Sequence, residues 1–294
     1  MNKVGFIGVG IMGKSMVRNL MKAGFELHIY ARTKSKVEDV IGEGAQFHES
    51  IKDCVQDCDA VITIVGFPQD VEEVYFDQGN ILDSAKKGAY LIDMTTTSPQ
   101  IAEKIYAEGT KRAFHVMDAP VTGGDTGAKA GTLSILVGGE KEDYEACMPL
   151  FEAMGTNINY QGKAGCGQHC KLANQIMIAG TLSGVCEALT YAKEQGLDPE
   201  VFMKSVATGA AGSKQLDTFG PKILKDDYAP GFFMKHFIKD MKLALIEANR
   251  KGLSLDVLSM VLANYEELEQ EGYGDLGTQA LMKFYDEEHR NTEE

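Results

Sequence analysis

The chain has 294 residues, 44% of them hydrophobic and 24% charged, with a formal net charge of −14. That length predicts two domains with a sizeable core, and the excess of negative charge argues against a nucleic-acid partner, whose phosphates it would repel. No stretch approaches about 18 uninterrupted apolar residues, so no membrane span is expected; the amino terminus runs straight into a strand, so no signal peptide is expected, and the cytoplasm is the default expectation.

The first strand, Val4–Ile7, leads into Gly8-x-Gly10-x-x-Gly13 and then a helical pattern over Met12–Lys22. This order suits a dinucleotide pyrophosphate. Gly8 makes the tight turn, Gly10 lets backbone N–H groups around Ile11 and Met12 approach the phosphates, and Gly13 lets helix and strand pack closely. A structural turn without a nucleotide is the alternative. The next strand, Phe25–Tyr30, ends in Ala31-Arg32-Thr33-Lys34-Ser35-Lys36, where an NAD-binding chain usually carries an acidic residue for the ribose. No carboxylate occurs before Glu38. Arg32, Thr33 and Lys36 are instead donors suited to a 2′-phosphate, so NADP(H) is the expected cofactor; a solvated basic loop is the alternative.

Further strands are predicted at Ala60–Val65, Ala89–Asp93, Phe114–Ala119 and Leu133–Val137. Helices are predicted at Val37–Ile41, Gln69–Tyr75, Pro99–Glu108 and Lys141–Met154. This alternation marks a parallel sheet with crossover helices. Within it, Asp118-Ala119-Pro120-Val121-Thr122-Gly123-Gly124 ends in adjacent glycines. Gly123 and Gly124 can turn N–H groups toward a carboxylate, with the Thr122 hydroxyl as a further donor, and an ordinary turn is the alternative. From Cys166 onward strand signals stop. Gln168–Glu194 reads as one long helix linking the domains, and the remainder (Pro199–Lys204, Ser213–Leu224, Phe237–Arg250, Ser254–Glu271, Gly277–Glu288) as all helical. The polar last nine residues, Asp286–Glu294, are expected to fray. The boundary is expected near 160–166, where Gly162, Gly165 and Gly167 cluster, giving domains 1–163 and 164–294. Lys171, Asn174 and Gln175 lie at i, i+3 and i+4 and share one helix face. A partly buried lysine there could serve as general acid or base for hydride chemistry, against the alternative of a solvated surface lysine.

Six cysteines are scattered without a disulfide framework. Cys166 and Cys170 flank His169, but no second pair follows, so no metal site is expected.

The glycine loop, the Asp118–Gly124 motif, Gly165-x-Gly167-x-x-x-Lys171-x-x-Asn174 and Lys239-Asp240-Met241-Lys242-Leu243-Ala244 occur in that order over roughly residues 3 to 285. Together they resemble the β-hydroxyacid dehydrogenase family, which includes 3-hydroxyisobutyrate dehydrogenase, tartronate semialdehyde reductase and the glyoxylate/succinic semialdehyde reductases. The resemblance implies an α/β Rossmann-type N-terminal domain binding NADP and an all-α C-terminal domain for substrate and oligomerisation, joined by a long helix. It implies that Lys171 exchanges a proton with the substrate oxygen during hydride transfer, and that Thr122, Gly123, Gly124 and Asn174 hold a small carboxylate substrate with Gln175 close by. Lys239 and Thr96 would lie near the nicotinamide, Asp240 would orient the lysines, and Phe232 would wall the pocket. A homodimer or homotetramer is implied.

Two features depart from the family pattern. Ile64-Val65-Gly66-Phe67-Pro68 stands where the family commonly has Met-Leu-Pro, leaving Val65 and Gly66 as backbone contacts to the cofactor. Ala31 stands where NAD-using members carry aspartate. A 6-phosphogluconate-type decarboxylating enzyme, an imine reductase and a non-catalytic nucleotide-binding module are the competing readings. The first usually has a longer helical domain, the second often lacks the lysine, and the third has no use for an intact Lys171, Asn174 and Lys239.

Overall fold

The structure, a computed structural model describing residues 1–286, divides into two compact units, Met1–Lys171 and a second beginning at Leu172. The first is a mostly parallel sheet with helices on both faces. Its strands are β1 (Lys3–Ile7), β2 (Glu26–Tyr30), β3 (Gln46–Phe47), β4 (Ala60–Thr63), β5 (Tyr90–Asp93), β6 (His115–Asp118), β7 (Val121–Thr122), β8 (Leu133–Gly139) and β9 (Gly155–Gly162). The spatial order is β3-β2-β1-β4-β5-β6-β8-β7, with β9 beside β8. Strands β1 to β6 are parallel to one another, and β8 runs antiparallel to both β6 and β7. The helices are α1 (Ile11–Lys22), α2 (Glu38–Gly42), α3 (Ile51–Val55), α4 (Pro68–Phe76), α5 (Ile81–Ser84), α6 (Pro99–Lys111), α7 (Gly124–Ala130), α8 (Lys141–Ala146) and α9 (Met148–Met154).

Strand β1 shows why this sheet is covered on both faces. Alternate residues point to opposite sides. Val4 and Phe6 join one core with Met16, Val17 and Leu20 of α1, whereas Ile7 joins another with Val55 of α3 and Val71 and Val74 of α4. In α1 the buried positions are Gly13, Met16, Val17 and Leu20, the i, i+3, i+4, i+7 spacing of a helix laid on a sheet. Truncating one of these large side chains to alanine costs about 2–5 kcal/mol. Because β2 and β4 flank β1 on opposite sides, strand order reverses there. The crevice at the carboxyl ends of these strands is where such sheets bind ligands.

The main strands fall where the periodicity predicts them. Six other elements do not. Strand β9 is mostly polar and half exposed and so lacks an apolar alternation; β3 and β7 are two residues each; α3 and α5 are a turn or so long; and α7, Gly-Asp-Thr-Gly-Ala-Lys-Ala, has two glycines and a threonine among its seven residues, poor helix formers. The helix predicted over Lys141–Met154 is two helices broken at Cys147, because Pro149 cannot supply the N–H a continuous helix needs.

The second unit is helical: α10 (Cys166–Glu194), α11 (Pro199–Ala207), α12 (Lys214–Ile223), α13 (Met234–Arg250) and α14 (Asp256–Gln270). By length and composition α10 could cross a bilayer. Its apolar residues Leu172, Ala179, Leu182, Cys186 and Leu189 are instead buried in this unit's core. They meet Met234, Phe237, Ile238 and Met241 of α13 and Val261 and Tyr265 of α14, and the Tyr265 hydroxyl donates to the Thr278 carbonyl at 2.7 Å. The helix predicted over Gly277–Glu288 is a 3₁₀ segment, Thr278–Tyr285; the tail expected to fray lies, from residue 287, outside the described residues. The division at Lys171/Leu172 falls inside α10, since the first turns of that helix are hydrogen-bonded to the first unit.

Candidate cofactor and substrate site

The three glycines of the loop are required for different reasons. Gly8 has φ +99°, and a Cβ on it would lie 2.1 Å from the Ile64 carbonyl oxygen; a Cβ on Gly13 would lie 2.2 Å from the Gly8 carbonyl oxygen. Those two are demanded by the fold. Gly10 has φ −86°, and a Cβ there would meet nothing within 4 Å. Among the described residues no contact requires glycine at that position, whereas close approach of a phosphate to the backbone would. The residues therefore fit a dinucleotide: an exposed Gly10 and Ile11 open the first turn of α1, and Met12 is half-buried behind them.

Arg32 is exposed two residues beyond β2, followed by Thr33, which precedes the short 3₁₀ turn Lys34–Lys36. Its Nη2 lies 2.5 Å from Asp70 Oδ1 and 3.2 Å from Glu73 Oε2, both on α4. The carboxylates missing from the end of β2 thus arrive from the helix after β4. Sequence proximity gave no sign of this.

After β4, the Val65 N–H donates to Thr95 Oγ1 at 3.0 Å, and Gly66 and Phe67 lead to Pro68 at the start of α4. After β5, the segment carrying Thr96 is gripped from both sides by Gln168. Gln168 Nε2 donates to the Thr95 carbonyl at 2.8 Å, and its Oε1 accepts the Thr97 N–H at 3.0 Å. Asp93, at the end of β5, accepts the Thr63 hydroxyl at 2.8 Å and the Thr95 N–H at 3.1 Å on Oδ1, while Oδ2 is buried without a hydrogen-bond partner among the described residues. Burial pushes this carboxyl up to about 6, against the downward pull of those hydrogen bonds.

Beyond β6, the Asp118 carboxylate ties down the start of α10: Oδ1 accepts the Gly165 N–H at 2.7 Å and Oδ2 the Gln168 N–H at 2.8 Å. This satisfies N–H groups that have no partner inside the helix. Gly167 permits the approach, because a Cβ there would lie 2.4 Å from the Leu136 carbonyl oxygen and 2.8 Å from Asp118 Oδ2. Burial raises the Asp118 carboxyl although both N–H groups favour its charge. Lys171, one turn beyond Gln168, is only 7% exposed, so the alternative of a solvated surface lysine fails.

Thr122 pairs with Ser134 across β7 and β8; Gly123 (φ +130°) and Gly124 (φ +64°) then turn the chain into α7, a conformation glycine adopts without strain. Within the second unit, Asn174 Nδ2 donates to Gln175 Oε1 at 2.8 Å, Gln175 Nε2 donates to Asp240 Oδ2 at 2.6 Å, and Lys239 Nζ lies 3.0 Å from Asp240 Oδ1. Gln175 and Asp240 are buried, and Gln175 is a brace between Asn174 and Asp240. Phe232 is half-buried against His236 and Phe237 at the edge of this unit's core. Sequence reasoning assigned no role to Gln168, Asp93 or Asp118. The Asp118 motif and the run through Gln168 were visible, but their partners lie 47 to 73 residues away. The six cysteines are free thiols.

Residues 3–162 match the family profile described as the NAD binding domain of 6-phosphogluconate dehydrogenase, and residues 165–285 that described as NAD-binding of NADP-dependent 3-hydroxyisobutyrate dehydrogenase. The chain is 49% identical over 282 residues to an uncharacterized oxidoreductase, YkwC, of Bacillus subtilis (strain 168), covering 96% of this chain and 98% of that one. It is 36% identical over 253 residues to 2-hydroxy-3-oxopropionate reductase of Escherichia coli (strain K12), covering 86% of each. Among solved structures, Mycobacterium tuberculosis 3-hydroxyisobutyrate dehydrogenase with L-serine superposes with a TM-score of 0.89 at 26% identity, covering 97% of this chain and 99% of that one.

Proposed function

We propose a reaction for this chain from an established premise: it belongs to the family of NAD(P)-dependent hydroxyacid dehydrogenases that contains 3-hydroxyisobutyrate dehydrogenase and 2-hydroxy-3-oxopropionate reductase. It interconverts a short carboxylate-bearing semialdehyde or keto acid and the corresponding β-hydroxyacid, preferring NADP(H). The observation that carries this reading is the buried Lys171 at the sixth position of a helix whose first turn is anchored by Asp118 and Gln168.

The dinucleotide, when bound, supplies or accepts the hydride; the Gly8–Gly13 loop and the α1 N-terminus would hold its pyrophosphate. Arg32, Thr33 and Lys36 would meet the 2′-phosphate, and Val65, Gly66 and Thr96 the neighbouring parts of the molecule. Lys171 donates a proton to the carbonyl oxygen as negative charge develops there, or removes it from the hydroxyl in reverse. Positioned proton transfer of this kind is worth about 10²–10⁴ in rate. Thr122, Gly123 and Gly124 carry neutral donors suited to a substrate carboxylate, and Asn174, in the second unit, carries another. The Gln175–Asp240–Lys239 chain holds Asn174 in one rotamer and places Lys239 as a further cation.

The test is NADPH oxidation, run beside NADH, over glyoxylate, succinic semialdehyde, tartronate semialdehyde and methylmalonate semialdehyde, for wild type and Lys171→Ala. The expected result is turnover on at least one aldehyde that Lys171→Ala lowers by at least two orders of magnitude. Unchanged turnover in that variant would end the general-acid assignment, and a strong NADH preference would end the cofactor assignment.

A further inference from the structure

We propose that Asp70 and Glu73 set how sharply this chain discriminates a 2′-phosphate from a 2′-hydroxyl on its dinucleotide, by competing for Arg32. The inference rests on the reading that the crevice beside the glycine loop binds a dinucleotide. It goes beyond that reading in assigning selectivity to two residues of α4 that make no part of the glycine loop or the basic turn.

The topology carries the argument. Strand β1 lies between β2 and β4. Arg32 leaves the sheet just after β2, and Asp70 and Glu73 stand in the first two turns of the helix that follows β4. Their ion pairs, 2.5 Å and 3.2 Å long, therefore reach over the carboxyl end of β1, where the glycine loop begins and the adenosine ribose would lie. Asp70 is fixed there by a second bond. Its Oδ2 accepts the Phe67 N–H at 2.9 Å at the start of α4, so the carboxylate stays and Arg32 comes to it.

The local charge decides what this arrangement selects. One guanidinium beside two carboxylates leaves a net charge of −1 at that spot. An arriving 2′-phosphate must share Arg32 with two anions or draw it away from them, whereas a 2′-hydroxyl can donate to either carboxylate, as it does to the acidic residue that commonly follows the second strand. Arg32 favours the phosphorylated cofactor, and Asp70 and Glu73 blunt that preference from the other wall of the crevice.

Dissociation constants for NADPH and NADH measured by titration calorimetry test this on wild type, Glu73→Gln and Asp70→Asn/Glu73→Gln, and on the last pair in an Arg32→Ala background. Asparagine at 70 keeps an acceptor for the Phe67 N–H, and Glu73→Gln alters an exposed side chain, so the fold is preserved. The double variant is expected to bind NADPH about tenfold more tightly, with NADH unchanged or weakened. In the Arg32→Ala background the gain shrinks to about threefold or less. Equal changes for both dinucleotides, no change, or a full gain without Arg32 would each overturn the proposal. A wild type that prefers NADH, with the double variant shifted tenfold toward NADPH, upholds the proposal while removing the NADP preference. A wild type that binds neither dinucleotide removes both.

Discussion

The carboxylate of Asp118 accepts the backbone N–H of Gln168 at 2.8 Å, and Gln168 in turn holds the Thr95–Thr97 backbone with both ends of its carboxamide. One residue on a strand end thereby fixes the first turn of the helix that carries Lys171. The same turn fixes the segment that carries Thr96. Lys171, the proposed general acid, and Thr96, the proposed cofactor contact, share a single support.

Asp118→Ala should therefore lower stability and activity together. Losing a helix N-cap costs about 1–2 kcal/mol, a few degrees in Tm for a domain of this size. Misplacing Lys171 should lower kcat by about tenfold or more, beyond any loss of folded protein. Asp118→Asn, which keeps one acceptor, should recover part of both. Thermal denaturation beside kcat, corrected for the folded fraction, checks this; an Ala variant with wild-type kcat would disconnect the cap from catalysis.

Gln168→Leu is expected to act mainly on the cofactor. It leaves the Thr95 carbonyl and Thr97 N–H buried without their partner, at about 1–3 kcal/mol each, and frees the segment holding Thr96. The dinucleotide dissociation constant should rise by about tenfold, with a smaller change in the KM for the aldehyde. Equal rises in both would point to general loosening instead.

The strand-by-strand order of the first unit was legible because each main strand is an apolar run closed by glycine or a polar turn, and α1 announces itself by its i, i+3, i+4, i+7 stripe. That Lys171, Asn174 and Gln175 share one face of α10 was legible from their spacing, and the glycine loop from its position after β1. What could not be read were partners remote in sequence. The basic run Arg32–Lys36 looked like an unopposed phosphate site, yet Asp70 and Glu73 reach Arg32 from 38 and 41 residues away. Gln168 looked like one more polar residue at a helix start until Thr95 and Thr97 were found against it. Strand β9 escaped because hydrogen bonds to β8, rather than apolar alternation, hold its polar residues in line.

The loop glycines separate a folding requirement from a binding one. Gly13→Ala would force a Cβ to 2.2 Å from the Gly8 carbonyl oxygen, so it should displace α1 from β1 and lower Tm markedly. Gly10→Ala meets no atom within 4 Å and should fold as wild type. Its methyl group would occupy the space a pyrophosphate needs, and dinucleotide affinity should fall by about tenfold or more. Circular dichroism melts beside calorimetric binding decide this: a Gly10→Ala protein with full affinity would remove the pyrophosphate from this loop.

Asp93 gives a pH dependence whose sign can be worked out. Its carboxyl is raised to about 6 in the folded chain by burial, above the value of about 3.9 expected when unfolded. The folded state therefore holds this proton more tightly. The stability it contributes is complete below about pH 4, declines as pH rises toward 6, and is lost above it, when a charged carboxylate must remain buried with Oδ2 unpartnered. Asp93→Asn keeps an oxygen acceptor for the Thr63 hydroxyl and the Thr95 N–H and carries no charge. Relative to wild type, it should gain about 2 kcal/mol in unfolding free energy between pH 4.5 and pH 7.5. Chemical denaturation of both proteins at the two pH values measures that difference directly, and a difference that stays constant with pH would mean that Asp93 is ionised throughout.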